Sequence, residues 1–460
     1  MQLIAGLWLA LAAAQDSARV PRLEQDRARV PRLEQDSAPA PRLELSEVYR
    51  TARTQSPRAE AARALATAAM ARVPSSKLPP DPQVQLGFMN YTIPGLAPME
   101  AIGMPQLQVM QMFRTAGKLR LSGRASNAQA GAANERARSV EWEVRNEVAM
   151  AFYDLYAVDE ALNVSRRTLR LLQDIRSIAE AMYRVGDGRQ TDVLRAQVEI
   201  ARMVEDTVRM TTMRTGMAAR LNALLDRPAG SVVARPALPV FPDSVMALDA
   251  VLAQSDADRP MLRAAARDVD AASAQAEFAR REIWPDLIVG VQYAQRGGAM
   301  GTERMGSLML GASVPVFARS RQFKMREETA AMRQMAEAEL ADMRAWTRGD
   351  VTNAYANLAR ARNLSALYRT TIIPQAEATV SSALAAYRVG GVDFMTLLDD
   401  RMTVNKYRQE LFALEAEQGK AWAELEMLLG RELLEPNPAR SEPERGEQPE
   451  HAVHGENRND

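Results

Sequence analysis

The sequence contains no cysteine, and its only two histidines, His451 and His454, lie close to the C-terminus. The lack of cysteine excludes disulfides, thiolate metal sites, cysteine nucleophiles and a lipid-modified cysteine anchor. The formal net charge is zero, because 58 lysines and arginines balance 58 aspartates and glutamates. Basic clusters with interleaved aromatic residues do not occur, so we expect no nucleic-acid partner.

Catalytic motifs are absent as well. The sequence has no P-loop, no dinucleotide-binding glycine fingerprint and no Gly-x-Ser-x-Gly elbow. A pair of histidines in a polar tail is more typical of an incidental feature than of a metal site. We therefore expect neither an enzyme nor a cofactor, and no metal site.

Long hydrophobic runs are missing too. The stretch from Leu3 to Ala14 is rich in Leu and Ala, which is typical of a secretory signal peptide over residues 1–14, although no basic residue precedes Arg19. A buried N-terminal helix is the alternative. Beyond this stretch there is no run of about 18 or more apolar residues, so a helical membrane protein is not expected.

Polar segments flank the central part of the chain. Residues 15–45 contain near-copies of a short unit with one or two prolines in each, which blocks helix formation and predicts a spacer. Residues 432–460 are rich in Pro, Glu, Arg and Asn and contain few apolar residues. This composition predicts a disordered tail.

The strongest pattern is a long-range repeat. The stretch Tyr-Arg-Val-Gly at 183–186 recurs at 387–390, a spacing of 204 (387 minus 183). The pairs Trp142/Trp346 and Phe113/Phe317 share this spacing, whereas Pro57/Pro260, Pro82/Pro285, Gly87/Gly290 and Phe152/Tyr355 are 203 apart. The pattern predicts a tandem duplication, with repeats at 46–228 and 249–431 joined by a linker at 229–248.

Each repeat predicts the same order of elements. A proline, Pro57 or Pro260, opens an Ala-rich helix. Alternating apolar and polar residues then predict a β-hairpin at about 82–113 and about 285–317, with loops that contain Pro94, Gly95 and Pro98, or Gly297, Gly298 and Gly301.

Two long helices follow each hairpin. Their composition places them at about 120–165 and 168–226 in the first repeat, and at about 320–365 and 373–430 in the second. Gly186 and Gly188 in the first repeat, and Gly390 and Gly391 in the second, fall inside the second helix. We expect them to loosen or kink a continuous helix.

Four strands cannot close a barrel in a membrane, because the smallest such barrels have about eight strands and no unpaired edge. Three chains would supply a twelve-stranded barrel. The long helices carry Arg, Glu and Asp on their outward positions, so they are expected to continue the barrel as a water-filled tube. The fold class is therefore mainly α with a small membrane β-barrel portion.

The duplicated pattern, with its Tyr-Arg-Val-Gly stretches and the Leu-Leu-Asp at 397–399, resembles the TolC family of outer-membrane efflux proteins. The resemblance implies a homotrimer in the lipid of the outer membrane, with a helical barrel that extends into the periplasm. It also implies a periplasmic adaptor and an inner-membrane efflux pump as partners. The function implied is passive export of small molecules or metal ions. A soluble structural coiled-coil or scaffold protein is the alternative.

The resemblance further implies a gate at the periplasmic tip. Asp192 falls where the family has a gating aspartate, Tyr387 matches a gating tyrosine, and Asp399 matches an aspartate that lines the entrance. Three copies of Asp399 around a narrow axis would favour cations. The alternative for Asp192 and Asp399 is that they only complement a helix dipole.

The sequence departs from the family's gate in two places. Val392 stands where the best-studied members have an arginine, and Thr396 replaces a second entrance aspartate. A gate that uses the usual Arg–Asp pair is therefore not expected. We expect Asp393 or Asp400 to supply part of the negative ring.

Methionine is frequent, with 25 in the chain. A cluster in the first hairpin, together with metal-exporting branches of this family, raises the hypothesis of a copper or silver cargo. Methionine is also a flexible core filler, so the alternative is simple packing. The clustered residues are Met89, Met99, Met104, Met110 and Met112.

Overall fold

The structure is a computed structural model. It describes residues 42–95, 97–99, 103–242, 244–298 and 301–433. The segment interpreted as a signal peptide, both histidines, and nearly all of the expected spacer and tail lie outside these residues. A mainly helical fold with a small β portion, as the sequence predicts, is confirmed.

Among the described residues, the first half of the chain forms four helices and two strands. They are α1 (Leu45–Gln55), α2 (Pro57–Ser76), β1 (Gln83–Met89), β2 (Met104–Phe113), α3 (Lys118–Val185) and α4 (Gln190–Leu224). Helix α2 begins at Pro57 as predicted, and the Ser56 hydroxyl caps it by accepting the Ala59 N–H at 3.5 Å. With 68 residues, α3 is about 100 Å long at 1.5 Å per residue.

The second half repeats this order. Its elements are α5 (Leu248–Asp258), α6 (Pro260–Arg281), β3 (Asp286–Gly298), β4 (Gly301–Ser313), α7 (Gln322–Leu367), a π-helical segment (Tyr368–Ile372), α8 (Ile373–Arg388) and α9 (Phe394–Leu429). Helix α6 begins at Pro260, as predicted. Because α7, the π-helical segment and α8 are continuous, together they are the counterpart of α3.

The π-helical segment explains why the repeat has two spacings. Six buried residues of α7 lie 203 positions after six buried residues of α3: Val144/Thr347, Val148/Val351, Ala151/Ala354, Leu155/Leu358, Val158/Ala361 and Leu162/Ser365. Beyond the segment the spacing is 204, as for Ala179 and Ala383, which are both buried. A π-helical turn holds one extra residue, which accounts for the change. The pairings of Trp142 with Trp346 and of Phe113 with Phe317 at 204 are therefore wrong.

The long helices end where the sequence had predicted a kink. The break expected near 165–168 is absent, because α3 is continuous to Val185. The chain then reverses at Gly186, and α4 returns antiparallel, so that Arg214 Nε lies 2.5 Å from Asp159 Oδ1. The reversal needs glycine: a Cβ on Gly188 would lie 2.8 Å from the Tyr183 nitrogen. The second half reverses in the same way between α8 and α9.

The four strands form one antiparallel sheet in the order β1-β2-β3-β4. Since β2 pairs with β3, the two hairpins lie side by side. The second hairpin is longer than its predicted loop allowed, because Gly297 and Gly298 belong to β3 and Gly301 begins β4. It also ends earlier, since β4 stops at Ser313.

The sheet has two different faces. One face is apolar and exposed, with Val84, Val109, Val291 and Leu308 in one row across all four strands. Alternation places the strand methionines and most of the strand glutamines on the other face. They are Gln83, Gln85, Met89, Met104, Gln106, Gln108, Met110, Met112, Gln292, Met305 and Met309.

Within the described residues, the helices bury three apolar clusters. One joins α1, α3, α4 and α9, a second joins α3, α4, α8 and α9, and a third joins α5, α7 and α9. In the part of the chain that the structure describes, no helix combines the length and the apolar character needed to cross a membrane.

Candidate gate at the tips of the helical hairpins

Two chain reversals form the candidate site. We call residues 183–195, around the turn between α3 and α4, the first tip, and residues 387–399, around the turn between α8 and α9, the second tip. The second apolar cluster holds them together, because it contains Ala179 and Ala196 from the first hairpin and Ala383 and Leu397 from the second. Since the strands precede the start of α3, the tips lie about 100 Å of helix away from the sheet.

Glycine sets the backbone of both tips. Gly186 and Gly390 have φ angles of 88° and 73°, a left-handed conformation that ends each helix. The N–H groups of the following residues satisfy the last helical carbonyls, as in the 2.9 Å bond from Gly391 to the Ala386 oxygen. The Asp393 carboxylate then caps α9 by accepting the Met395 N–H at 3.3 Å.

Tyr387 is the centre of a small group at the second tip. It is only 5% exposed, and its ring meets that of Phe394 edge to face at 5.6 Å between centroids. In the described part of one chain its hydroxyl has no hydrogen-bond partner. Burial raises the pKa of Tyr387, and the negative charges of Asp192 and Asp393 raise it further. The structure thus brings together three of the five predicted gate residues.

The other two predicted residues lie further along α9. Asp399 is its sixth residue and is exposed, whereas Asp400 is partly buried. Asp192 lies in the first turn of α4 and is 7% exposed. A helix dipole acts mainly within the first turn, so it accounts for Asp192 more readily than for Asp399.

Sequence reasoning missed the basic residues at the first tip. With a spacing of 204, Arg195 is the counterpart of Asp399 (195 plus 204) and Arg189 is the counterpart of Asp393. Both arginines are exposed. Subtracting 204 from each acidic residue would have found them, since the spacing was already known. The two tips therefore present opposite charges at equivalent positions.

The sequence model of the outer membrane efflux protein family matches the chain twice, at residues 48–227 and 251–431. The chain belongs to this family. Membership confirms the resemblance found in the sequence and the interpretation as an outer-membrane efflux protein, and it argues against a soluble scaffold.

Individual relatives are distant. The pyoverdine export outer membrane protein OpmQ of Pseudomonas putida is 24% identical over 305 residues, which cover 64% of this chain and 63% of the relative. Two solved structures share the fold. CusC, described as forming a transmembrane channel, has a TM-score of 0.73 and 16% identity over 84% of this chain and 92% of its own. The outer membrane protein VceC from Vibrio cholerae has a TM-score of 0.72 and 15% identity over 84% and 96%.

Proposed function

We propose that this member of the outer membrane efflux protein family is a passive export duct, with no catalytic step. The observation that carries the proposal is the separation of two unlike ends. A sheet with an exposed apolar face lies at one end, and closely packed helical tips with charged side chains lie about 100 Å of helix away. Such a chain suits lipid at one end and water along the rest of its length.

The duct is a homotrimer in this proposal. The edges of β1 and β4 have no partner strand in the described part of one chain, and an open edge is not tolerated in lipid. Three copies close a barrel of twelve strands, and the helices continue it as a tube into the periplasm. A periplasmic adaptor and an inner-membrane pump complete the export path.

Small molecules are the cargo that we propose, supported by the name of OpmQ as a pyoverdine export protein. The glutamine-rich face of the sheet suits a polar lumen. Metal ions are a second candidate, because methionines such as Met110 and Met309 share that face. Loss of tolerance to a toxic cation upon gene deletion, without loss of tolerance to organic compounds, would favour the second candidate.

The tips form the periplasmic constriction in this proposal. Asp192, Tyr387 and Asp393 lie in one group, and Asp399 and Asp400 extend the negative charge along α9. Arg195 occupies the place of Asp399 on the neighbouring hairpin. A ring of three aspartates and three arginines would control entry by their balance, because charges near a narrow path set its ion preference.

Ion selectivity of the purified protein in planar bilayers tests the gate. In a salt gradient, the reversal potential of Asp399→Ala should shift towards anion preference. The matched control, Arg195→Ala, removes the opposite charge at the equivalent position and should shift it towards cations. An unchanged reversal potential in both variants would remove these residues from the entrance.

The duct itself is tested by cell fractionation and by the mass of the purified protein in detergent. We expect recovery in the outer membrane as a trimer. Recovery as a soluble monomer would overturn the proposed function.

A further inference from the structure

The two halves of one chain meet along a surface that we call the intrachain seam, in which α3 packs against α6 and β2 pairs with β3. Charged pairs cross it. Arg136 pairs with Asp268, and Arg124 Nη1 lies 3.6 Å from Glu277 Oε2. The seam therefore shows how the end of a first repeat fits the start of a second one.

Lys118 fastens the seam where the sheet meets the helices. It is 1% exposed, and its ammonium group donates to the Trp284 carbonyl at 2.8 Å and to Asp286 Oδ1 at 2.9 Å. The backbone N–H of Thr115 donates to the same carboxylate oxygen at 3.1 Å. A buried charge needs such partners, so this contact fixes the start of α3 relative to the start of β3.

Because of the duplication, each of the two surfaces that form the seam has a counterpart elsewhere in the chain. In a single chain both counterpart surfaces are exposed, and we call them the open faces. Helix α7 is the counterpart of α3, and α2 is the counterpart of α6. Ala132 is fully buried, whereas its counterpart Met335 (132 plus 203) is 51% exposed. Asp268 is partly buried, whereas its counterpart Leu65 is 67% exposed. Buried Ala264, Ala271 and Ala274 correspond to exposed Ala61, Ala68 and Ala71.

In the trimer of the proposed function, these two open faces meet between copies of the chain in the geometry of the intrachain seam. We propose that Arg321 takes the place of Lys118 at this contact. The position of Arg321 follows from 118 plus 203, and Trp284 and Asp286 become residues 81 and 83 after subtraction of 203. Arg321 of one copy then pairs with Asp81 of the partner subunit. This inference rests on the trimer of the proposed function and identifies the residues that join it.

Charge and exposure support the pair. Arg321 and Asp81 are both exposed, and neither side chain has a hydrogen bond or an ion pair within the described residues of one chain. The seam position is basic in both repeats, as Lys118 and Arg321. In the intrachain seam the carboxylate belongs to Asp286, whose counterpart is Gln83. Between copies the carboxylate belongs to Asp81, two residues before Gln83. The longer guanidinium side chain can span this shift.

Side-chain size and the apolar face agree with the same fit. In the intrachain seam, Gly131 lies against the stem of Arg267, with 3.6 Å between its ideal Cβ and Cδ. The counterpart of Gly131 is Gln334, and the counterpart of Arg267 is Ala64. A small residue thus faces a large one in both contacts, with the small residue on the opposite helix. The counterparts of β2 and β3 are β4 and β1, reached by adding 203 to the residues of β2 and subtracting 203 from those of β3. The same register then pairs β4 with β1 of the next copy, with Ala312 opposite Phe88 on the apolar face. The contact is head-to-tail, which closes a ring when the rotation allows it.

Chemical cross-linking of the full chain in membranes tests the contact directly, because the protein has no cysteine of its own. A short bismaleimide is applied to a variant that carries both Arg321→Cys and Asp81→Cys. We expect covalent dimers and trimers. Each single variant should stay at the mass of one chain. The pair Arg124→Cys and Glu277→Cys, across the intrachain seam, should react without a change in mass.

A charge exchange provides a second measurement. Arg321→Asp or Asp81→Arg alone should lower the association constant in detergent by roughly tenfold. The double exchange should restore most of it, which a folding defect would not do. Arg50→Glu, at an exposed position of α1, is the control for charge reversal and should have no effect.

The outcomes separate two failures. A wild-type trimer that gives no cross-link and tolerates both single reversals would overturn the Arg321–Asp81 contact but leave the duct intact. A wild-type monomer would overturn both.

Discussion

Helices α4 and α9 occupy equivalent places in the two hairpins and have nearly the same length, 35 and 36 residues, yet they differ in burial. Val198 and Val208 of α4 are 51% and 63% exposed. Their counterparts in α9, Met402 and Phe412 (each plus 204), pack against apolar clusters. The difference arises because α9 packs on α3 of its own chain, whereas the counterpart of that contact for α4 would come from another copy. In the proposed trimer, exposure here marks a missing neighbour and not a weaker helix.

The largest effect is expected at the last turns of these helices, where both bury a polar side chain. Glu426 is 1% exposed and lies 3.2 Å from the guanidinium of Arg145, which also stacks on the Tyr49 ring at 3.7 Å. Its counterpart Asn222 donates to the carbonyls of Ala229 and Ser231 at 3.3 and 2.8 Å.

We expect Glu426→Ala to lower the free energy of unfolding by about 2–4 kcal/mol, because Arg145 then keeps only its exposed partner Glu432, at 3.0 Å, and the Leu433 N–H loses its acceptor. The matched change Asn222→Ala should cost about 1–3 kcal/mol, the penalty for unsatisfied neutral carbonyls. Chemical denaturation of the detergent-solubilised protein, followed by circular dichroism, measures both. Equal losses would show that the charge at α9 contributes nothing beyond a hydrogen bond.

A smaller effect is expected at a close approach of α9 to α3. A Cβ on Gly419 would lie 2.2 Å from Cε1 of the Tyr153 ring, which is fully buried. We expect Gly419→Ala to destabilise the protein by about 1–3 kcal/mol, because the ring cannot move away in a close-packed core.

The counterpart of Gly419 in α4 is Thr215, which is exposed. Thr215→Ala should change the free energy of unfolding by less than about 0.5 kcal/mol in the same denaturation assay. A tolerated Gly419→Ala would show that α9 and α3 lie further apart than the structure places them.

The smallest effect is confined to alkaline pH. It concerns the two tip tyrosines, Tyr387 and its counterpart Tyr183. Because the pKa of Tyr387 is raised on folding, the folded state holds its proton more tightly than the unfolded state. The contribution of Tyr387 to the free energy of unfolding is fully present below its unfolded-state pKa, near 10. It is lost as the pH rises through its folded-state pKa.

Tyr387→Phe should therefore make the protein less sensitive to pH above 10, with little change at neutral pH. Tyr183→Phe, at the 47% exposed counterpart, is the control and should leave the alkaline transition unchanged. The pH midpoint of unfolding measures both. Identical midpoints for wild type and Tyr387→Phe would argue against burial of the phenol.

Much of the fold could be predicted from local chemistry and from repetition. Prolines at 57 and 260 open helices because their missing N–H is not needed there. Alternation across residues 287–293 gave a strand, since period two is a direct consequence of the pleat. The family resemblance depended on the repeat, which needs no knowledge of packing.

The helix ends and the tip could not be predicted in the same way. Ser165 and Thr168 interrupt the apolar pattern near the expected break, but both are buried, and Thr168 donates to Asn405 of α9 at 2.9 Å. Only tertiary contacts make a continuous helix favourable there. Glycine at 186 is compatible with either a kink or a reversal, and the choice depends on the partner helix. The proximity of Asp192 to Tyr387 likewise requires the fold.

The π-helical segment at Tyr368–Ile372 has a practical consequence for anyone who recombines the two repeats. One extra residue in a regular α-helix would rotate all later side chains by about 100° around its axis. The wider turn absorbs this rotation, so Tyr387 still points at Phe394. A hybrid chain with a crossover inside the segment could therefore keep the extra residue without the wider turn, whereas crossovers on either side of the segment carry both together and preserve the angular setting of the tips.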